Sequence, residues 1–288
     1  MKTTVSIAMC TYNGAGFLQQ QLDSLAWQTR KPDEIIICDD VSSDDSFAIA
    51  QAFADQSGLK VRVHQNTQNL GYVKNFEKAI SLCTQDIIFL CDQDDLWQPS
   101  KIEQMVGVFD AEPSVGLVLH DFCWIDEVNQ PYPGPIDTYG PGKFSAAQLP
   151  QEIKDHSISV FMEPYPRAWC GCMMAYRGSY NDIVLPIFPG KGHDDWILKI
   201  LAPITETRFI ADSLVHYRMH QKNTNRRDLD KRTMGYLWGR FVKKVKLSVR
   251  GHTKSNFYRR ILLKLNQSKR PVQYPELVRS YKKYIRGL

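Results

Sequence analysis

Apolar residues fall in short blocks along the first 120 positions, and the stretches between them alternate in character. Val5–Cys10, Glu34–Cys38, Val61–Val63, Asp86–Cys91 and Val115–His120 are compact runs bounded by turn-forming residues, which reads as buried strands. Between the first two, Phe17–Trp27 places Phe17, Leu18, Leu22 and Leu25 at helical spacing, and Pro32 stops the pattern. Ser42–Asp45 offers N-caps for a helix through Phe53, and Gly71–Leu82 and Lys101–Phe109 supply two more helices. Strands alternating with helices predict βαβ units and an α/β fold, a mostly parallel, Rossmann-like, doubly wound sheet flanked by helices.

The rhythm then weakens. Asn129–Pro166 is rich in Pro, Gly and Asp with little periodicity, and reads as a long functional loop over the carboxyl edge of the sheet. Trp169–Tyr176 is apolar again, Gly192–Trp196 introduces a helix over Ile197–Leu201, and Arg208–His216 reads as a strand. After Asn225, Trp238, Phe241, Val242, Val245 and Val249 share one helical face. Arg240, Lys243, Lys244, Lys246 and Arg250 take the other, which makes a basic amphipathic helix. Further basic helical pieces are expected around Ile261–Leu265 and Glu276–Ile285. The expected division is a body over 1–225 and a basic helical C-terminal extension over 226–288.

Charge sharpens that division. Residues 231–288 hold 17 Lys and Arg against one acid, Glu276, whereas the rest of the chain holds 19 bases and 30 acids. An acidic body with a basic tail points to an anionic partner for the tail, either an anionic membrane surface or nucleic acid. With 43% hydrophobic and 23% charged residues the composition is that of a globular protein. No apolar run approaches the roughly eighteen residues of a membrane span. Met1–Val5 leads straight into a strand without a signal-peptide core, so the expected location is cytoplasmic. Seven cysteines, most of them inside apolar runs, read as reduced thiols. The close pair Cys170-Gly171-Cys172 lacks partners at metal spacing and is weak evidence for zinc.

The candidate chemistry is acidic. Ile87–Cys91 ends abruptly in Asp92, Asp94 and Asp95, Glu34–Cys38 ends in Asp39 and Asp40, and Asp194 and Asp195 open the later helix. In doubly wound sheets such strand ends converge on one crevice. Three acids at one strand end repel each other, and a hard divalent cation with oxygen ligands would compensate them. Capping is the plainer role for Asp39 and Asp40, but Ser42–Asp45 can already do that job; the helix dipole is the plainer reason for Asp194 and Asp195. Gly14-Ala15-Gly16 is too short for a dinucleotide loop.

The order of these motifs resembles a known family. Thr11-Tyr12-Asn13, Glu34–Asp40 with Ser42-Ser43-Asp44, Asn69-Leu70-Gly71 and Asp92-Gln93-Asp94-Asp95 are similar to family 2 glycosyltransferases of the GT-A fold. His193-Asp194-x-Trp196 and Tyr217-Arg218-x-His220-x-x-Asn223 resemble its rhamnosyltransferase-like bacterial polysaccharide branch, and the likeness spans residues 4–225. The resemblance implies inverting transfer of a sugar from a nucleoside-diphosphate donor, UDP- or dTDP-linked, to a hydroxyl of a saccharide acceptor. In that branch the acceptor is often lipid-linked and the setting is cell-surface polysaccharide synthesis.

By the same resemblance Thr11, Tyr12 and Asp39 hold the nucleoside, with Asp39 on the pyrimidine, and Asn13, Asp40, Asn69 and Gly71 belong to the same nucleotide-sugar site. Asp92 and Asp94 match the D-x-D pattern and Asp95 extends it, binding ribose and a Mg2+ or Mn2+ ion under the diphosphate. His220 is a further metal ligand and Arg218 a phosphate contact. The chemistry agrees, because a metal stabilises the leaving diphosphate and one carboxylate must take the acceptor proton. Asp194 is the preferred base and Asp195 the other choice. The Q-x-x-R-W signature of processive synthases is absent, which implies one sugar per encounter. Docking of the tail would make the enzyme peripheral to the inner face of the membrane.

Two other classes remain in play: a sugar nucleotidyltransferase and a non-catalytic nucleotide- or nucleic-acid-binding protein. Asn13–Phe17 lacks the basic residue that the first needs, and the continuous apolar face beside Trp238 and Phe241 speaks against nucleic acid.

Overall fold

The computed structural model describes residues 2–132, 170–188, 192–221, 223, 259–268, 270–271, 278–279 and 282. Eight strands form one sheet in the order β3-β2-β1-β4-β7-β6-β8-β5. They are β1 (Val5–Thr11), β2 (Glu34–Asp39), β3 (Val61–Gln65), β4 (Ile87–Cys91), β5 (Leu96–Trp97), β6 (Val115–Ile125), β7 (Met174–Arg177) and β8 (Glu206–Arg218). The flanking helices are α1 (Ala15–Ala26), α2 (Ser46–Gln56), α3 (Tyr72–Leu82), α4 (Lys101–Ala111), α5 (Asn181–Val184) and α6 (His193–Leu201).

Every residue of β1, β2 and β4 is buried, because helices cover both faces of the sheet. Strand alternation splits these side chains between two cores. Val5, Ile7 and Met9, with Ile35, Ile37, Ile87 and Phe89, meet Leu18, Leu22 and Leu25 of α1, Phe53 of α2 and Met105 of α4. Ala8, Ile36, Ile88 and Leu90 face the other way, toward Phe76 and Ile80 of α3 and Trp196, Ile197 and Ile200 of α6. This is the doubly wound arrangement that the sequence predicts.

The structure differs from that expectation in three places. The sheet is mostly parallel, as expected, but not wholly: β1–β2, β1–β4, β2–β3 and β6–β8 are parallel, while β4–β7, β6–β7 and β5–β8 are antiparallel. The apolar stretch at Trp169–Tyr176 supplies the 3-10 turn Gly171–Met173 and the start of β7, which slots between β4 and β6. Helix α6 begins at His193, so both of its acids lie inside its first turn. Residues 259–267 of the expected C-terminal extension are helical, and Ile261 and Leu265 are buried in the second core. That part of the basic segment therefore packs on the body. The amphipathic stretch Trp238–Val249 and most of the Asn129–Pro166 loop lie outside the described residues.

Because β1 to β4 all run parallel, the segments following them gather at one edge: 12–14, 40–45, 66–71 and 92–95. The long pair β6–β8 forms the opposite half, with register shifts beside Val115 and Asp121. At the first shift Gly116 leaves no room for a side chain, since an added Cβ would lie 2.1 Å from Thr205 Oγ1. Thr205 is itself fully buried and bonded to the Ser114 carbonyl, so it has nowhere to retreat. Gly116→Ala is expected to cost about 1–3 kcal/mol, read as a lower urea midpoint at unchanged m-value.

Candidate active site

The converging segments enclose a cleft of about 800 Å³. Its first wall comes from the ends of β1 and β2. Asp39 is fully buried and accepts from Thr11 Oγ1 at 2.9 Å and Ser42 N at 3.0 Å, so its carboxylate braces the loop from behind. The next residue, Asp40, lines the cleft. Its Oδ1 accepts from Leu70 N at 2.7 Å and its Oδ2 from Gly71 N at 2.8 Å, which ties the 69–71 turn to the end of β2. Gly71, with φ 76, is the residue type that this turn conformation favours. Val41 follows the acids with φ 62, a strained position for a β-branched residue that these two anchored carboxylates hold in place. Thr11, Tyr12, Asn13, Asn69 and Gly71 all line the cleft, and Asp39 does not. Of the two acids expected in the nucleotide-sugar site, Asp40 lines this wall and Asp39 lies behind it.

Tyr12 is half-exposed at the lip. A residue that the sequence pattern does not flag fixes the loop beneath it. Gln93 accepts from Tyr12 N at 2.7 Å and donates to Tyr12 O at 3.1 Å. It also fills the space beside Gly14, where a Cβ would lie 2.2 Å from its side-chain carbon. An amide between two acids carries no signal of its own in sequence, and only the sheet topology gives it this partner.

The acid turn after β4 faces two ways. Asp92 and Asp94 line the cleft, and Asp94 Oδ2 lies 2.8 Å from His220 Nε2. Asp95 turns inward at 1% exposure, where its Oδ1 accepts from Arg218 N at 3.1 Å. Burial pushes Asp92 well above the usual carboxylate range, with Asp95, Asp94 and Asp194 adding to the effect. Asp95 is pushed up to about 7, by burial first and then by the charge of Asp94. Such crowding favours a cation, and the two cleft-facing carboxylates beside an imidazole suit Mg2+ or Mn2+. Asp95, expected among the metal ligands, does not reach the cleft.

Arg218, expected as a phosphate contact, is not among the residues that line the cleft. It is fully buried and its donors are already engaged inside the protein. Nε donates to the Asp94 carbonyl at 2.8 Å, Nη1 to Asn129 Oδ1 at 2.5 Å and Nη2 to Gln20 Oε1 at 3.0 Å, while the guanidinium sits 4.9 Å from the Phe17 ring centre. It clamps the acid turn to β8 and α1. Asn223 extends the clamp, accepting from His220 N at 2.5 Å and donating to the Arg218 carbonyl at 3.0 Å.

A second buried cation lies behind the acids. Lys101 is fully buried, donates to the Cys172 carbonyl at 2.5 Å and stands 3.6 Å from the Trp97 ring centre. Burial brings its ammonium down to about 8. The sequence shows it only as the first residue of a helix.

Helix α6 lies behind the cleft wall, and none of its residues, Asp194 and Asp195 included, lines the cleft. Asp195 pairs with Lys199 one turn along the same helix. Asp194 accepts from Asp195 N at 2.7 Å, is pushed up to about 6 by burial, and is close enough to raise Asp92 electrostatically. His193 stacks on Phe76 at 3.8 Å with 16° between the rings, and Tyr72 meets it edge-on at 6.1 Å. Burial brings the imidazole down to about 3, so it is neutral, and neither ring nitrogen has a hydrogen-bond partner among the described residues. Since Phe76 and Tyr72 also line the cleft, the helix bearing Asp194 rests directly on the cleft wall.

Comparison with known proteins gives a consistent set of likenesses. The sequence profile described as Glycosyl transferase family 2 matches residues 6–172. An uncharacterized glycosyltransferase from Nostoc sp. is 28% identical over 77% of this chain and 66% of its own length. The putative glycosyltransferase EpsH of Bacillus subtilis is 29% identical over 75% of this chain and 61% of its own. The chain thus spans a little under two thirds of the length of these relatives. Among solved structures, residues 1–349 of S. aureus TarS in complex with UDP-GlcNAc superpose with a TM-score of 0.63 at 14% identity, covering 98% of this chain and 71% of that one. The mannosyltransferase PcManGT from Pyrobaculum calidifontis, in complex with GDP-Man and Mn2+, gives 0.58 at 17% identity, covering 100% and 75%. At these identities the structural likeness establishes the fold.

The clamp role of Arg218 has a measurable signature. Arg218→Lys should lower stability by about 2–4 kcal/mol in chemical denaturation, because a single ammonium cannot replace the fork of donors. Unchanged stability with weakened donor binding would instead place the guanidinium on a ligand.

Proposed function

This chain belongs to glycosyl transferase family 2 and has the GT-A fold, and from that premise we propose that it moves a sugar from a nucleoside-diphosphate donor to a hydroxyl of a saccharide acceptor, with inversion and with a divalent ion bound. The observation that supports this reading is the convergence of Asp40 with Asp92 and Asp94 on one cleft, with Asp194, behind the cleft wall, near enough to Asp92 to perturb it.

In this reading the nucleoside lies along the first wall. Tyr12 stacks on the base, and Asp40, with Thr11, Asn13, Asn69 and Gly71, sets its edge and the ribose. Asp39 supports them from behind through Thr11 and Ser42. Asp92 and Asp94, with His220 beside Asp94, hold Mg2+ or Mn2+. When bound, the ion supplies Lewis-acid stabilisation of the leaving diphosphate. Asp194 removes the proton from the acceptor hydroxyl as that oxygen attacks the anomeric carbon opposite the breaking bond to the diphosphate. Asp195 is occupied by Lys199 on the helix flank, which favours Asp194 as the base.

The donor is a UDP- or dTDP-sugar. The acceptor is a saccharide, lipid-linked in cell-surface polysaccharide synthesis, and the basic segment 231–288 serves to hold the enzyme against the anionic inner face of the membrane. Among the described residues, no helix is long and apolar enough to cross a membrane.

Asp194→Asn should reduce transfer by about 10²–10⁴-fold while leaving donor affinity intact in calorimetry, and Asp195→Asn should transfer near the wild-type rate. The reverse pattern would move the base to Asp195. Because the Asp194 pKa is raised to about 6, the base is ionised above that pH and protonated below it. Measured kcat/KM should therefore fall as pH drops through about 6, with the Asp194→Asn variant lacking that limb. Asp94→Ala should weaken metal-dependent donor binding by at least about tenfold, and unchanged Mn2+ dependence would remove Asp94 from the metal site.

A further inference from the structure

Gln93 falls between the two carboxylates that face the cleft, Asp92 and Asp94, yet its amide is engaged by the loop after β1. Its Oε1 accepts from Tyr12 N at 2.7 Å and its Nε2 donates to Tyr12 O at 3.1 Å, a contact across 81 positions of sequence. The next residues of that loop are held from elsewhere. Asn13 N donates to Ser42 Oγ at 2.9 Å, Gly14 N to Ser46 Oγ at 2.8 Å and Ala15 N to Asp44 Oδ2 at 3.1 Å. The loop thus has two tethers, one to the segment after β2 and one, through Gln93, to the acid turn. Tyr12 sits where the second attaches, half-exposed in the cleft, and Asn13 bends the chain between them at φ 49. The fit is close, since a Cβ at Gly14 would collide with the Gln93 amide.

We propose that Gln93 is a positioning residue that couples the two halves of the donor site, so that a divalent ion at Asp92 and Asp94 orders the Tyr12 platform for the base. This inference rests on the donor-site reading above. An ion shared by Asp92 and Asp94 offsets their repulsion and narrows the range of the turn between them. With a ligand on each side of it, the Gln93 backbone has little freedom left, and its two hydrogen bonds carry that restraint to the Tyr12 peptide. Bonds to both the N–H and the C=O of one residue fix orientation as well as position. Coupling of this kind is reciprocal, so a base on Tyr12 also tightens the ion. The consequence is discrimination: a free nucleoside meets a loosely held platform, whereas a donor arriving with its ion meets an ordered one. A role confined to stability differs in one respect. It would make loss of Gln93 weaken base binding to the same extent with and without the ion.

Two readouts on the full-length protein test the coupling, and neither is sugar transfer. The first is amide hydrogen exchange of residues 11–16 with Mn2+ alone. Mn2+ should slow exchange there in the wild type and leave it unchanged in Gln93→Ala and in Gly14→Ala. The second variant displaces the amide by steric pressure and keeps every acid in place. The second readout is calorimetry with uridine, thymidine and guanosine, which lack the phosphates that would bind the ion directly. Mn2+ should tighten the nucleoside that binds by at least about fivefold in the wild type, and by no more than about twofold in either variant. Thermal melts establish that each variant is folded, and if one is not, the other decides. Equal weakening with and without Mn2+, or an exchange response that survives both substitutions, would overturn the proposal. So would a wild type that binds UDP, dTDP or GDP with Mn2+ but shows no exchange response to the ion. If none of the three diphosphates binds, the donor reading itself fails and the coupling falls with it.

Discussion

Crowded negative charge at the end of β4 is the constraint on which the rest of the site depends. Asp92, Asp94 and Asp95 occupy four consecutive positions with Gln93, and Asp194 approaches from another element. In water these acids would repel weakly, but partial burial strengthens the repulsion and raises the cost of ionising each. The surrounding structure answers that cost from several directions. The backbone amide of Arg218 faces Asp95, its guanidinium holds the Asp94 carbonyl, and His220 meets the Asp94 carboxylate. Lys101 lies beneath, its charge anchored by the Cys172 carbonyl and the face of Trp97. What stays uncompensated is the side open to the cleft, and that is where an exchangeable cation belongs.

The scaffold that makes this possible is ordinary strand alternation. In β1, β2 and β4 one set of side chains builds the core under α1, α2 and α4, and the other builds the core under α3 and α6. The strand ends are thereby fixed in register to within one residue, which is why Asp39 and Asp40 have different roles. Both carboxylates are buried: Asp39 braces Thr11 and Ser42, and Asp40 ties down the 69–71 turn while lining the cleft. The same one-residue logic separates Asp94 from Asp95 and, on a helix, Asp194 from Asp195.

Much of this was legible in the sequence. Apolar blocks and helical spacing located β1 to β4 and α1 to α4, because each lies in a buried layer with its own periodicity. The acidic strand ends marked the cleft, because charge at the end of an apolar run has few other uses. The direction of each side chain was not legible, since Asp39 and Asp40 read alike until the strand register is known. Nor was the work of Arg218, whose partners Gln20, Asp94, Asp126 and Asn129 are distant in sequence. The antiparallel β7 escaped for a different reason. It is a four-residue strand entered from a 3-10 turn, too short to show a period.

The reach of Arg218 has a consequence for the order of events during synthesis. Its contacts to Asp95 and Gln20 span 123 and 198 positions, so they close only after nearly the whole body has emerged from the ribosome. The first four parallel strands and their helices can condense earlier, since their pairings join positions 5–11 to nothing beyond residue 91. A nascent chain therefore has its nucleotide-facing wall before the acid turn is locked in place. Competence arrives last, with β8, and a truncated product would be left with an unbraced turn of mutually repelling acids.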